Sequence, residues 1–153
     1  MGQEEVRVPV EDESAGPRLE HVNVTATDVD ATVRFFQLAM PQLTIRGEGT
    51  GEVCKRWVHL GTSTSYIAIE DRGVREAGPH IAYRHPGVNH LGFIVADSDA
   101  VAERLRAAGY REGKHSLDHP FRRRYYFYDP DGIEVEFIEY LTDHRHEQND
   151  YKL

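Results

Sequence analysis

The chain has 153 residues, enough for one domain with a real core and too few for a second large one. Its 18 Lys and Arg against 26 Asp and Glu leave a net charge of −8, which disfavours phosphate backbones and anionic lipid surfaces. No apolar run approaches the roughly 20 residues that a bilayer span requires, so neither nucleic acid nor membrane is an expected partner.

Residues 1–18 mix Glu, Asp, Ser, Gly and Pro with few large apolar groups, and we expect a loosely held tail there. The segment lacks the basic-then-apolar order of a secretory signal, and Cys54 has no second cysteine to pair with, which points to a reducing, cytoplasmic compartment. From His21, HVNVTAT alternates Val22, Val24 and Ala26 with polar residues and reads as a strand with one buried face. DVDATVRFFQLAM then carries Val29, Val33, Phe36 and Met40 at helical spacing behind Asp28, a capping residue, and Pro41 stops the helix. LTIRGEG, KRWVHLG and SYIAIED follow with strand composition.

The same course is then run again. HLGFIVADSDAVAERLRAAGY alternates Leu91, Phe93 and Val95, opens a helix at Asp97 with Val101, Leu105 and Ala108 on its apolar side, and ends it at Gly109. REGKHSL, RRRYYFY and IEVEFIEY supply three more strands. A shift of 69 residues carries His21 onto His90, Asp28 onto Asp97, Asp30 onto Asp99 and Ala31 onto Ala100, so each half reads βαβββ. The expected organisation is one α+β domain over 19–141, built from modules at about 19–70 and 88–141, with a C-terminal extension over 142–153. A short sheet with one helix beside it leaves a face open, and two such units satisfy each other by joining into a larger curved mixed sheet.

If the apolar alternates meet the helices, the other alternates face the shared cavity. Those residues are His21 and His90 on the first strands, Trp57 and His59, Tyr66, Ala68 and Glu70, then Glu134, Glu136 and Ile138 on the last strand. Two histidines at equivalent repeat positions with a last-strand carboxylate make a His, His, Glu set that suits a divalent transition metal. Seven basic residues against two acidic ones between Arg104 and Arg124 form a local positive patch, in which Arg122 and Arg124 are candidates to hold an anionic group of a substrate.

LEHVNVTATDVDATVRFF, GVNHLGFIVADSDAVAERLRAAGY and YFYDPDGIEVEFIEY resemble the vicinal oxygen chelate superfamily, which includes glyoxalase I, bleomycin-resistance proteins, fosfomycin-resistance enzymes and extradiol dioxygenases. The resemblance implies a glyoxalase-like fold, a cup around one metal, and ligands at His21, His90 and Glu136. It leaves the ion open among iron, manganese, zinc, nickel and cobalt. The departure is Ala68, which stands where four-ligand members carry a carboxylate. Either Glu70, one pleat along on the same strand face, substitutes for it, or the site has only three protein ligands with open positions for substrate oxygens. Tyr126, ten residues before Glu136, resembles the tyrosine of the extradiol pattern.

Together these readings give a metal-dependent enzyme acting on a small molecule that chelates through adjacent oxygens, either a lyase or isomerase or an extradiol dioxygenase. Glu70, His59 or Tyr126 would move a proton, and Trp57, Arg122 and Arg124 would contact substrate. The alternative is a metal-free, bleomycin-resistance-like protein that sequesters a small molecule in the same cup. A homodimer is expected in either case, with NDYKL as a candidate contributor.

Overall fold

The computed structural model describes residues 17–76 and 78–152. The first helix, α1 (Val29–Ala39), starts where Asp28 leaves the helix and its side chain accepts the Ala31 N–H at 3.0 Å. Val29, Val33, Phe36 and also Phe35 are buried along it, and the Met40 N–H closes the last turn on the Phe36 carbonyl before Pro41 forbids another. The second helix, α2 (Ser98–Ala107), repeats the device with Asp97, which accepts the Ala100 N–H at 2.9 Å. Gly109, at φ 81°, turns the chain out of the helix. Ala108, three residues past Leu105, falls on the cap beyond the last helical residue and is exposed, and Ala102, three residues before Leu105, is buried instead.

Around α1 lie β1 (His21–Thr25), β2 (Thr44–Gly49), β3 (Arg56–Gly61) and β4 (Tyr66–Asp71); around α2 lie β5 (His90–Ile94), β6 (Glu112–Ser116), β7 (Arg122–Tyr128) and β8 (Glu134–Tyr140). Each set forms one mixed four-stranded sheet, in the orders β1-β4-β3-β2 and β5-β8-β7-β6. In each the first strand lies parallel to the fourth, reached by a crossover through the helix. The registers repeat too. Asn23 faces Ala68 across β1 and β4, as Gly92 faces Glu136 across β5 and β8, so Ala68 is the structural counterpart of Glu136.

One core holds both modules. Phe35 and Phe36 of α1 meet Phe137 and Phe93 of the second sheet at ring separations of 6.5 and 5.8 Å. Arg104 of α2 donates to the carbonyls of Leu38 and Ala39 at 2.9 and 2.8 Å, satisfying acceptors that the end of α1 leaves without helical partners. The DPDG turn adds a second tie. Asp129 folds the turn by accepting the N–H groups of Asp131 and Ile133, while Asp131 accepts the Thr27 N–H at 2.9 Å and the Thr27 hydroxyl, 104 residues away.

This packing leaves β1 and β5 as outer strands. The curved sheet that would join the two halves is not closed inside one chain: among the described residues no strand of one sheet pairs with a strand of the other. Past β8 the chain forms a short helix, α3 (Arg145–Gln148), and returns over β7, where Arg122 donates to the carbonyls of Gln148 and Asp150 at 3.0 and 3.1 Å. The tail expected over 1–18 lies outside the described residues for 1–16; Arg18 reaches the Thr64 carbonyl. No helix among the described residues is long and apolar enough to cross a membrane.

Candidate metal centre

Alternation on β5, β7 and β8 sends Phe93, Tyr125, Phe127, Val135 and Phe137 toward the core and leaves His90, Arg124, Tyr126, Glu134 and Glu136 on the opposite face. There His90 Nε2 stands 3.1 Å from Glu136 Oε2. Tyr126, the cross-strand neighbour of Glu136, donates its hydroxyl to Oε1 at 2.6 Å, and an Arg124 nitrogen lies 3.9 Å from that oxygen. The Glu136 side chain is only 9% exposed, so these contacts are its main compensation for leaving water. Burial, then the Glu136 hydrogen bond and charge, push the Tyr126 phenol well above its ordinary range, so it keeps its proton.

A second layer supports the first. Tyr83, from the segment joining the modules, places its hydroxyl 3.0 Å from His90 Nδ1 and donates to Glu134 Oε1 at 3.0 Å, and Tyr128 donates to the other Glu134 oxygen at 3.1 Å. Burial, followed by the Glu134 hydrogen bond and charge, pushes the Tyr83 phenol up to about 12. Arg111 stacks over the Tyr128 ring at 3.4 Å.

The same face of the first sheet is aromatic. Trp57, His59, Tyr66 and His21 follow one another with ring centroids 4.9, 4.7 and 4.8 Å apart. The indole lies across β2, where a Cβ on Gly49 would meet it at 2.9 Å; only glycine leaves that space. Glu70 shares this face, but Asn23 donates to one of its oxygens at 2.8 Å and Arg72 pairs with the other at 2.7 Å. The Asn23 hydrogen bond first, then Arg72, hold its carboxyl below the ordinary range.

The predicted residues therefore fall into two groups. His90, Glu136, Tyr126 and Arg124 are brought together, while His21, Trp57, His59 and Glu70 share the face of the other sheet. His21 stacks on Tyr66 and lies 3.3 Å from Glu20, and among the described residues of one chain no three His, Cys, Asp or Glu side chains are placed to hold a metal ion. Arg122 is occupied by the C-terminal extension. Sequence reasoning missed Tyr83, for a local reason: it sits in a connecting stretch with no strand period to aim it.

A family model of the Glyoxalase/Bleomycin resistance protein/Dioxygenase superfamily matches residues 18–137. The chain belongs to this superfamily. A search of curated proteins finds no match. Among solved structures, this superfamily member is similar to a glyoxylase/bleomycin resistance protein/dioxygenase domain from Frankia sp. EAN1pec, at 24% identity and a TM-score of 0.66, covering 88% of this chain and 99% of that one. It is also similar to the trypanothione-dependent glyoxalase I of Leishmania major, at 17% identity and a TM-score of 0.62 over 81% and 87% of the two chains. TnmS3, an antibiotic binding protein from Streptomyces sp. CB03234, is similar at 19% identity and a TM-score of 0.59 over 82% and 98%. At these identities the likeness is one of fold.

Proposed function

We propose that the protein is a divalent-metal-dependent enzyme of this superfamily, acting on a small molecule that chelates through adjacent oxygens. The observation that carries this reading is the His90–Glu136 pair. These two side chains, with Nε2 and Oε2 side by side at 3.1 Å, would hold the ion. An imidazole nitrogen beside a carboxylate oxygen is also the donor type that iron, manganese, zinc, nickel and cobalt accept.

The third ligand in this reading is His21 of a second copy. β1 and β5 are both outer strands with exposed, partly apolar faces, and Ile94 on β5 is 72% exposed. Pairing β1 of one copy with β5 of another would close the curved sheet and face the Trp57–His21 aromatic wall toward the His90–Glu136 pair, giving a homodimer with two sites. The unpaired Cys54 fits a reducing compartment such as the cytoplasm.

A bound divalent ion supplies a Lewis acid to the chelating oxygens. Tyr126 holds Glu136 in place, and because its O–H is already engaged as a hydrogen-bond donor to that carboxylate, its part is to orient and not to donate to substrate. Arg124 puts a positive charge beside the pair, suited to an anionic substrate oxygen. His59, between Trp57 and Tyr66, brings to the opposite wall an imidazole, the side-chain type that takes and gives protons near neutral pH. Glu70 is a poorer base, with both oxygens engaged. Whether the reaction is isomerisation, a lyase step or ring cleavage depends on the ion and the organic part of the substrate.

The second reading, a metal-free binder, draws on the aromatic wall, a surface for stacking a planar ligand, and on Ala68, which removes a fourth ligand. Titration of the protein with Co(II), followed by the visible absorption of the bound ion, separates the two. The enzyme reading predicts saturable binding that His90→Ala and Glu136→Ala abolish. Absence of specific binding of Co(II), Zn(II), Mn(II) and Fe(II) by the unaltered protein overturns it in favour of the binder.

A further inference from the structure

Tyr83 has the only positive φ of any described non-glycine residue, 63°, a conformation that side chains with a Cβ rarely adopt. The loop around it is held by its own contacts. The Tyr83 N–H donates to Asn89 Oδ1 at 2.7 Å, the Ile81 N–H to His85 Nδ1 at 3.0 Å, and His80 Nε2 lies 2.9 Å from the Val88 carbonyl. The effect is to hold one hydroxyl between His90 Nδ1 and Glu134 Oε1, 3.0 Å from each.

A phenol has one proton to give. With a neutral imidazole two arrangements of protons make the 3.0 Å Tyr83–Nδ1 contact a hydrogen bond, whereas a third, with Tyr83 donating to Glu134 and Nδ1 bare, sets two lone pairs against each other there. In one, Tyr83 donates to Nδ1 and Nε2–H donates to Glu136; the phenol oxygen is then left against a bare Glu134 carboxylate. In the other, Tyr83 donates to Glu134 and Nδ1–H donates to the phenol oxygen. The unprotonated Nε2 then faces Glu136 Oε2, so the gap in the network falls between an imidazole nitrogen and a carboxylate oxygen, the donor types that would hold a divalent ion.

We infer that Tyr83 is a positioning residue that fixes Nδ1 as the donor nitrogen of His90, and so keeps Nε2 open for an ion or a proton shared with Glu136. Hydrogen bonding of the remote nitrogen of a ligand imidazole sets its tautomer and raises its basicity toward metal. The second half of this inference rests on the metal reading above; the tautomer does not.

The test has two measurements on the full chain. Nitrogen-15 NMR of the metal-free protein at about pH 9, where imidazoles are ordinarily neutral, reads which His90 nitrogen carries the proton. Titration with Zn(II) alone reads affinity. The inference predicts a protonated Nδ1 in the unaltered protein, a move of the proton to Nε2 in Tyr83→Phe, and Zn(II) binding weakened roughly ten-fold or more by that change. A bare Nδ1 in the unaltered protein overturns it, as does a Tyr83→Phe protein with the same tautomer and the same Zn(II) affinity. If Tyr83→Phe moves the proton but the unaltered protein binds no Zn(II), the tautomer assignment stands and the metal reading falls.

Discussion

Glu136, the carboxylate proposed to hold the ion, stands beside three neighbours, His90, Tyr126 and Arg124. Its carboxylate is nearly buried, and removing one of its partners exposes the cost of that burial. We therefore expect Tyr126→Phe to lower the stability of the metal-free protein by about 1.5–3 kcal/mol, the order of a lost hydrogen bond to a charged group, measured by urea denaturation at neutral pH. An unchanged midpoint would mean that the 2.6 Å contact contributes nothing to folding. At this scale the sequence was informative where the repeat could aim a side chain. Equivalent positions in two βαβββ units put His90 and Glu136 on one face by alternation alone. The same alternation puts Glu134 on the cavity-facing side, but its link to His90 is not legible, because it runs through Tyr83, whose positive φ no local pattern announces.

The strands, α1 and α2 were readable because hydrophobic period, capping aspartates and the stops at Pro41 and Gly109 agree with one another. What the pattern did not show is the use made of the DPDG turn, since hydrogen bonds between Thr27 and Asp131 depend on how the two modules dock. The turn also carries a testable charge. Burial pushes the Asp129 carboxyl up to about 6 against the backbone N–H bonds that pull the other way. A raised folded-state value means that the folded protein holds its proton where the unfolded chain has released it. Asp129 therefore costs no charge burial below about pH 4, and stability declines as pH rises through about 6. An asparagine amide oxygen in its place would accept the same two N–H groups without titrating. The stability of Asp129→Asn relative to the parent should thus rise between about pH 4 and about pH 6 and level off above, by at most roughly 3 kcal/mol at 1.36 kcal/mol per unit. A difference that stays flat across that window, in urea denaturation at a series of pH values, would refute the assignment.

For the whole molecule, the fold class was legible and the location of the complete site was not. Alternation says that His21 and His90 lie on the open faces of their sheets, but it is silent on whether those faces meet within one chain or between two. Packing decides this, and here α1 docks on α2, with Arg104 across the end of α1, while β1 and β5 remain unpaired outer strands of their sheets. If a second copy covers those strands, an aspartate at position 94 would put a charge into the join. Ile94→Asp should then give a folded monomer by analytical ultracentrifugation, with the near-native circular dichroism of an intact core and with Co(II) binding lost. A dimer that persists unchanged would place the interface elsewhere.

The most direct test of the central claim mixes two damaged proteins. His21→Ala and His90→Ala, carrying different affinity tags, are co-expressed, and the mixed dimer is isolated through both tags and its metal measured by elemental analysis. If a site takes His21 from one copy and the His90–Glu136 pair from the other, the mixed dimer contains one undamaged site and binds one ion, while each variant alone binds none. A mixed dimer that also binds none would contradict the account.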